Sequence, residues 1–534
     1  MDSVPVSLSG LKDSCPCSEG QKSVRCEFVF EYETRSGMKQ VEKRTINVQC
    51  TNSNETPTPR DSGKVVEPIV FGTLEHPWEI NNCVELQNMN QHLDGNYVLG
   101  QDINCYNDTQ LPNGALYNDG NGFEPIGKSS KMFVGSLNGQ NHTISNLMIN
   151  RSKTNNIGLF SYLAGTISDV GLENVSIIGK NLVGGLTGIS FSGSISNSYS
   201  IGYISGYSMV GGLIGRSNNS LISNSYSNSD VNGNSNVGGL IGSSNGDTID
   251  SSYSTGDINS VNQFVGGLVG FSSKGLISAS FSTGNITGSN NYVGGLAGRS
   301  SALISNSYST GDVNGSGDSV GGLLGAISKD DLSSDDSGSV INSYSTGSVS
   351  GFGNYIGGLV GISMGSISDS YATGDVNGFG NYVGGLVGYS SKGLVNKSYA
   401  TGDVNGFSGY VGSLIGKTYY GSISNSFSIG KVISSGESIG GLIGENGNSI
   451  ISNCYWDVYK TSQVNCCGSG ACDDCFGKNS GNLESDAFFP KEALGWDYNV
   501  PMQRNANPEN NWTFGDDGNW KARAGNYPIL AWQQ

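Results

Sequence analysis

Between Leu182 and Tyr455 the apolar and polar positions follow one short phrase, written ten times: Val-Gly-Gly-Leu-x-Gly, then Ile-Ser-Asn-Ser-Tyr, then Asp-Val-Asn-Gly. One copy, Tyr382 to Gly406, reads YVGGLVGYSSKGLVNKSYATGDVNG. The Gly-Gly step or its variant begins at Gly184, Gly211, Gly238, Gly266, Gly294, Gly321, Gly357, Gly384, Gly412 and Gly440, at intervals of 27 or 28 residues with one of 36. Alternation with period two, punctuated by Gly, Asn and Asp, predicts short strands joined by tight turns. A fixed period of this size predicts a solenoid, because one unit cannot bury its apolar face without stacking on the next. Strands advance about 3.3 Å per residue, so each unit makes one coil. The expectation is an all-β parallel β-helix with three strands per coil of about 27 residues.

Within a coil, alternation places Ile195, Asn197 and Tyr199 on one face and Ser196 and Ser198 on the other. The aromatic recurs as Tyr199, Tyr226, Tyr253, Phe281, Tyr308, Tyr344, Tyr371, Tyr399, Phe427 and Tyr455. Coils about 4.8 Å apart would make of these a continuous internal stack of rings. At the Gly-Gly step, Val383 and Leu386 both face inward only if the strand bulges between them, which predicts positive φ at the glycines. Ser413 occupies the second glycine position of one unit, so that coil accommodates a side chain.

Outside the repeats the pattern changes, which predicts four segments. Residues 1–66 form a small cysteine-containing β module and linker, with a hairpin around Phe28–Tyr32 and Arg44–Val48. Residues 67–132 cap the N-terminal edge, 133–455 form the β-helix, and 456–534 hold a cysteine-rich loop and C-terminal cap. Caps are required because bare end coils present unpaired strand edges.

Composition narrows the function. Gly supplies 82 of 534 residues without any Gly-X-Y triplet, which excludes collagen. The net charge of −17 argues against nucleic acid as a partner. No apolar run is long enough for a membrane span, and the first ten residues lack the basic and apolar regions of a signal peptide. Eleven cysteines lie at the ends: Cys15, Cys17, Cys26, Cys50, Cys83 and Cys105 before the repeats, and Cys454, Cys466, Cys467, Cys472 and Cys475 at their close. Such placement suggests disulfide staples and an oxidising, extracellular or cell-surface setting. Cys83 with Cys105 is the first expected pair. The odd total leaves a thiol free or paired between chains. The Cys-x-x-Cys at Cys472 and Cys475 also admits zinc, although disulfides suit an extracellular rod better.

These residues resemble the GLUG-motif repeat family, named for the Gly-Leu-x-Gly found here at Gly185–Gly188 and Gly385–Gly388. The likeness covers roughly residues 67–534. It includes a lead-in from Phe133 to Ile144 and the closing Asn526-Tyr527-Pro528-Ile529-Leu530-Ala531-Trp532. The resemblance implies a right-handed β-helix in a secreted or surface protein of adhesin-like character. Similar repeats also lie beside the catalytic domain of IgA-cleaving metallopeptidases. This chain has only His76, His92 and His142 and no His-Glu-x-x-His, so that activity does not carry over. The cysteine-rich loop and residues 1–66 depart from the family pattern.

The chemistry-bearing candidates are few, and no catalytic or metal-ligating residues are expected. Asp230, Asp257, Asp312, Asp375 and Asp403 recur four residues after the aromatic and form a column. A pair of carboxylates at about 5–9 Å in different environments would suit glycoside chemistry, whereas a uniform column suits turn geometry or a bound Ca²⁺. An insertion between Gly325 and Tyr344 carries Lys329-Asp330-Asp331-Leu332 and Asp335-Asp336, a solvated loop or part of a binding face. The strongest binding candidates are aromatic. Phe264, Tyr292, Tyr355, Tyr382 and Tyr410 precede the inward Val or Ile and so point outward, with Phe352, Phe379 and Phe407 just before them. Such rings suit sugars or a partner protein, or cover a loop or another subunit. The expected protein is therefore a non-enzymatic surface or secreted binder of glycans or other surface proteins. A carbohydrate-active enzyme and a self-associating stalk or filament are the alternatives.

Overall fold

Val293–Gly294, Ala297–Ser300, Leu303–Ser305, Tyr308–Ser309 and Val313–Gly315 are the five short strands of one mid-rod coil. Each pairs in parallel, residue for residue, with its counterpart on the next coil: Val293 with Val320, Ala297 with Leu324, Ile304 with Val340, Tyr308 with Tyr344 and Val313 with Val349. The computed structural model describes residues 71–328 and 338–478, and the backbone of strands Ser23–Glu33, Lys39–Gln49, Trp520–Arg523 and Asn526–Leu530. It is a parallel β-solenoid of about 12 turns of about 28 residues, bounded by four parallel sheets. The insertion residues 329–337 lie outside the described residues.

The chain divides into two units, Met1–Val70 and Phe71–Gln534. In the first, Ser23–Glu33 and Lys39–Gln49 pair antiparallel, which is the hairpin expected there. In the second, parallel pairing begins at Trp78–Ile80 beside Asn96–Leu99, within the stretch read as a cap. Trp520–Arg523 and Asn526–Leu530 pair antiparallel.

Inside the coils, Val293, Leu296, Ala297, Ile304, Val313 and their counterparts are fully buried in one continuous core. Each Val, Leu or Ile so buried contributes about 1.5–3 kcal/mol relative to exposure. The core therefore runs the length of the solenoid in files, one apolar position per coil.

Five strands replace the expected three because two pieces break, Val-Gly-Gly-Leu-x-Gly at its Gly-Gly step and Ile-Ser-Asn-Ser-Tyr in its middle. Asn306 takes φ 50°, and Asn197, Asn224, Asn342 and Asn425 take 47–49° at the same place. Asn tolerates this left-handed region better than most residues. The break shifts the alternation by one, so Ile304 and Ser307 both face inward while Tyr308 turns outward, half-buried. The aromatic stack is thus continuous but on the outer face of its sheet, half-buried from Tyr199 to Tyr371 and buried at Tyr399 and Phe427. Its rings lie 4.8–5.0 Å apart and within 7° of parallel from Tyr199 to Phe427.

What the interior gains instead is a spine of serine. Ser198, Ser225, Ser252, Ser280, Ser307, Ser343, Ser370, Ser398 and Ser426 are all fully buried. Ser280 N donates to Ser307 Oγ at 3.2 Å, while Ser307 Oγ donates to Ser305 O at 2.8 Å, and the pattern recurs along the spine. Ser307→Ala strands the Ser280 N–H and should cost about 1–3 kcal/mol, read as a lowered urea midpoint. An unchanged midpoint would show that the spine is not a stabilising network.

The Gly-Gly step also differs from expectation. None of its glycines has a left-handed φ. They are required by close approach: a Cβ on Gly211 would overlap the Ile214 carbonyl, and one on Gly212 would overlap Ser227 Oγ and the Gly239 carbonyl of the next coil. Ser413, buried at the variant step, donates Oγ to Gly430 O at 3.0 Å.

Candidate functional site

Just before the inward Val or Ile of each Gly-Gly strand the backbone turns a corner, and the side chain there points out of the solenoid. Phe264, Tyr292 and Tyr355 hold φ of 64°, 65° and 62°, and Ser319 holds 66°. The left-handed region costs an L-residue roughly 1–2 kcal/mol, and such strain concentrates at binding sites. The expected outward file is present, in two pieces. Phe264 stacks on Tyr292 at 5.2 Å, and Tyr355, Tyr382 and Tyr410 stack at 5.0 and 5.5 Å. Ser319, on the coil between, carries no ring and is buried.

A second file stands alongside. Phe352, Phe379 and Phe407 stack at 4.8 and 4.5 Å, with interplanar angles of 9° and 0°. They are the most exposed rings of the eight predicted site residues, at 63%, 43% and 54%. Six rings thus occupy three successive coils in two parallel stacks.

Sequence reasoning missed the flank of the tyrosine file. Past the Gly-Gly step, Phe271, Arg299, Ala326, Ile362, Tyr389 and Lys417 form another outward column in register. Tyr389 lies 5.6 and 5.7 Å from the Tyr355 and Tyr382 rings. The Arg299 guanidinium lies 5.9 Å from the Tyr292 ring centroid, and Lys417 Nζ lies 5.7 and 5.0 Å from Tyr382 and Tyr410. These are cation–π distances. Burial works against the Lys417 ammonium, but Glu445 at 2.7 Å outweighs it and holds the pKa above the ordinary lysine value. The spacing of seven residues between Tyr382 and Tyr389 was the available signal, legible only once the step is known to fold the two columns together.

The aspartate column does turn work. Asp257 Oδ1 accepts from Asn285 N, Asp312 Oδ1 from Ser348 N, Asp375 Oδ1 from Asp403 N and Asp403 Oδ1 from Lys431 N, each at 2.9 Å. Each of these four carboxylates thereby ties one coil to the next. An unforeseen buried carboxylate, Asp247, accepts from Ser217, Ser220, Ser244 and Asn245. Desolvation nevertheless raises its pKa. His142 Nδ1 lies 3.2 Å from Asp102, whose pKa is lowered by the Thr143 N–H and then by His142.

Among the described residues, three disulfides join Cys83 to Cys105, Cys466 to Cys475 and Cys467 to Cys472. The first is the expected pair. The other two engage the sulfurs considered for zinc. Cys454 is the free thiol among the described residues, buried at the last place in the serine spine. The side chains of Cys15, Cys17, Cys26 and Cys50 lie outside the described residues.

The family model described as the GLUG motif matches residues 289–314, 352–377, 379–405, 407–433 and 435–457, each spanning one coil or most of one. These are GLUG repeats. The GLUG-bearing chain is similar to halomucin of Haloquadratum walsbyi, 39% identical over 143 residues, which is 25% of this chain and 2% of halomucin. It is also 38% identical over 139 residues to a protein of Evansella cellulosilytica provisionally named a Gly-rich membrane protein, covering 24% of this chain and 14% of that one. The chain therefore spans a small part of the length of these relatives. Among solved structures, a chain of Bacteroides ovatus provisionally named an immunoglobulin A1 protease aligns over 87% of this chain and 94% of its own length. That alignment has 17% identity and a TM-score of 0.27.

Proposed function

We propose that this GLUG-repeat solenoid is a non-catalytic, extracellular binding protein that recognises glycans through its outward aromatic files. The observation that carries the reading is the pair of three-ring stacks, Tyr355–Tyr382–Tyr410 and Phe352–Phe379–Phe407, set side by side on the same coils. Solvent-facing rings in a surface otherwise rich in Ser and Asn are costly unless something covers them. The aspartate column supports a non-catalytic reading, since Asp257, Asp312, Asp375 and Asp403 each accept from a backbone N–H of the next coil. The disulfides, and relatives named a halomucin and a membrane protein, support a location at or beyond the cell envelope.

The test is a glycan array probed with the wild-type chain and two variants. One replaces Tyr355, Tyr382 and Tyr410 by Ala; the other replaces Phe352, Phe379 and Phe407 by Ala. Wild-type binding that falls at least about tenfold in one of the variants is expected, since each desolvated stacking contact contributes about 0.5–1.5 kcal/mol. Absence of wild-type binding, or equal binding by all three proteins, would remove the reading.

A further inference from the structure

A ring stacked between two others has no face left to offer, and this decides where on the aromatic surface a sugar can sit. Phe379 lies between Phe352 at 4.8 Å and Phe407 at 4.5 Å, both nearly parallel to it. Its exposure of 43% belongs to its edge, whereas Phe352 at 63% and Phe407 at 54% each add one open face. Those faces look along the solenoid in opposite directions. Register places Ser316 below Phe352, since Gly315 pairs with Gly351, and Ser435 above Phe407, since Gly406 pairs with Ser434. Both serines are exposed, and Ser289 and Asn290, one coil beyond Ser316, are exposed as well.

We propose that the two end faces of the phenylalanine stack, on Phe352 and on Phe407, are the sugar-binding subsites of this protein, with Phe379 the spacer between them. The ligand class is a pyranoside whose substituents are largely equatorial, as in glucose or N-acetylglucosamine. Such a ring has a flat face of axial C–H bonds to lay on an aromatic face and a rim of polar groups. The surroundings match that amphipathic shape. Facing Phe352 on the preceding coil is the exposed Ser316 hydroxyl, and one coil further lie the exposed Ser289 and Asn290, the latter's amide held by Asn262 and Asn291. Beside Phe407, Ser435 Oγ donates to the Phe407 carbonyl at 2.9 Å and retains its acceptor lone pairs. A protein partner would want further apolar side chains around each ring, and these positions supply hydroxyls instead. The tyrosine file is less suited, because Tyr389 and Lys417 flank it and the Ser319 floor beside Tyr355 is buried.

This inference rests on the glycan-binding reading, and the experiment separates the two. Binding of cellotetraose and chitotetraose is measured by titration calorimetry for the wild-type chain, for Ser316→Leu/Ser435→Leu, for Phe352→Ala/Phe407→Ala and for Leu221→Ala, a change at an exposed leucine of another sheet. Leucine at the two exposed serine positions covers both end faces and leaves every ring in place. Loss of about tenfold or more in affinity is expected for the first two variants, with Leu221→Ala within about threefold of wild type. If the wild-type chain binds and the serine-to-leucine variant binds equally, the end-face assignment is overturned while glycan binding stands. If Leu221→Ala weakens binding as much as the two end-face variants, the assignment also fails. If the wild-type chain binds neither these sugars nor any on the array, both the assignment and the reading beneath it fall.

Discussion

Gly295→Val is expected to destabilise the solenoid by about 3 kcal/mol or more, the largest effect of any single substitution considered. The second glycine of each step lies where one coil passes nearest the next. A Cβ on Gly295 would overlap the Gly322 carbonyl of the following coil and the Ser309 hydroxyl of its own. Neither obstacle is a flexible side-chain tip: one is backbone held in a parallel ladder, the other a short side chain buried in the core. No χ rotation relieves a clash at Cβ, so the coils must separate and surrender packing on both sides. Ser413 shows the limit of tolerance. Its Oγ turns to the Gly430 carbonyl while Ser428, the counterpart of Ser309 on that coil, turns its own Oγ to the Gly441 carbonyl, so a small side chain fits where both hydroxyls turn aside. Ser309→Ala should accordingly recover part of the loss, and a double-mutant cycle by urea unfolding measures how much. A Gly295→Val chain with an unchanged urea midpoint would contradict the close-approach account.

The solenoid itself was legible because its cause is arithmetic. A period of 27 or 28 residues forces equivalent residues into files, whatever the path within a coil. The path was less legible. Period-two reasoning holds only while the backbone stays extended, and one left-handed residue such as Asn306 reverses every assignment after it. The tyrosines therefore moved outside and the serines moved in, although each file remained intact. The glycine step misled in a related way. Glycine is used both for positive φ and for close contact, and sequence alone does not distinguish them. The outward direction of Phe264, Tyr292, Tyr355, Tyr382 and Tyr410 was legible, since each is the immediate neighbour of the inward Val or Ile. Their flanking column, Tyr389 and Lys417 included, was not, because that contact depends on the fold of the intervening step.

Reducing the C-terminal disulfides should uncover the end of the solenoid and make Cys454 reactive. Cys467–Ser469 adds to the sheet edge at Ile443–Gly447, and Cys475–Lys478 adds to Cys454–Asp457. Without these pieces both strands would present unpaired N–H and C=O groups, a template for association. Two short segments of 3 and 4 residues bury too little to remain ordered unaided, so the Cys466–Cys475 and Cys467–Cys472 links hold them in place. Loss of native disulfides from a small secreted unit costs about 2–5 kcal/mol, and here the cost falls on the cap rather than on the central coils. Cys454 reports the event. Beneath the cap its thiol is wholly buried, and desolvation pushes its pKa up to about 12, which keeps the thiolate scarce at neutral pH. Iodoacetamide should therefore spare Cys454 in the oxidised chain. Once the cap opens, water lowers that pKa toward the ordinary range, and the adduct should appear on its peptide by mass spectrometry. The Cys466→Ser/Cys475→Ser/Cys467→Ser/Cys472→Ser chain should label without any reductant and grow in size by light scattering. An unlabelled Cys454 in that chain, still monodisperse, would mean that the final coil holds its own edge without the staples.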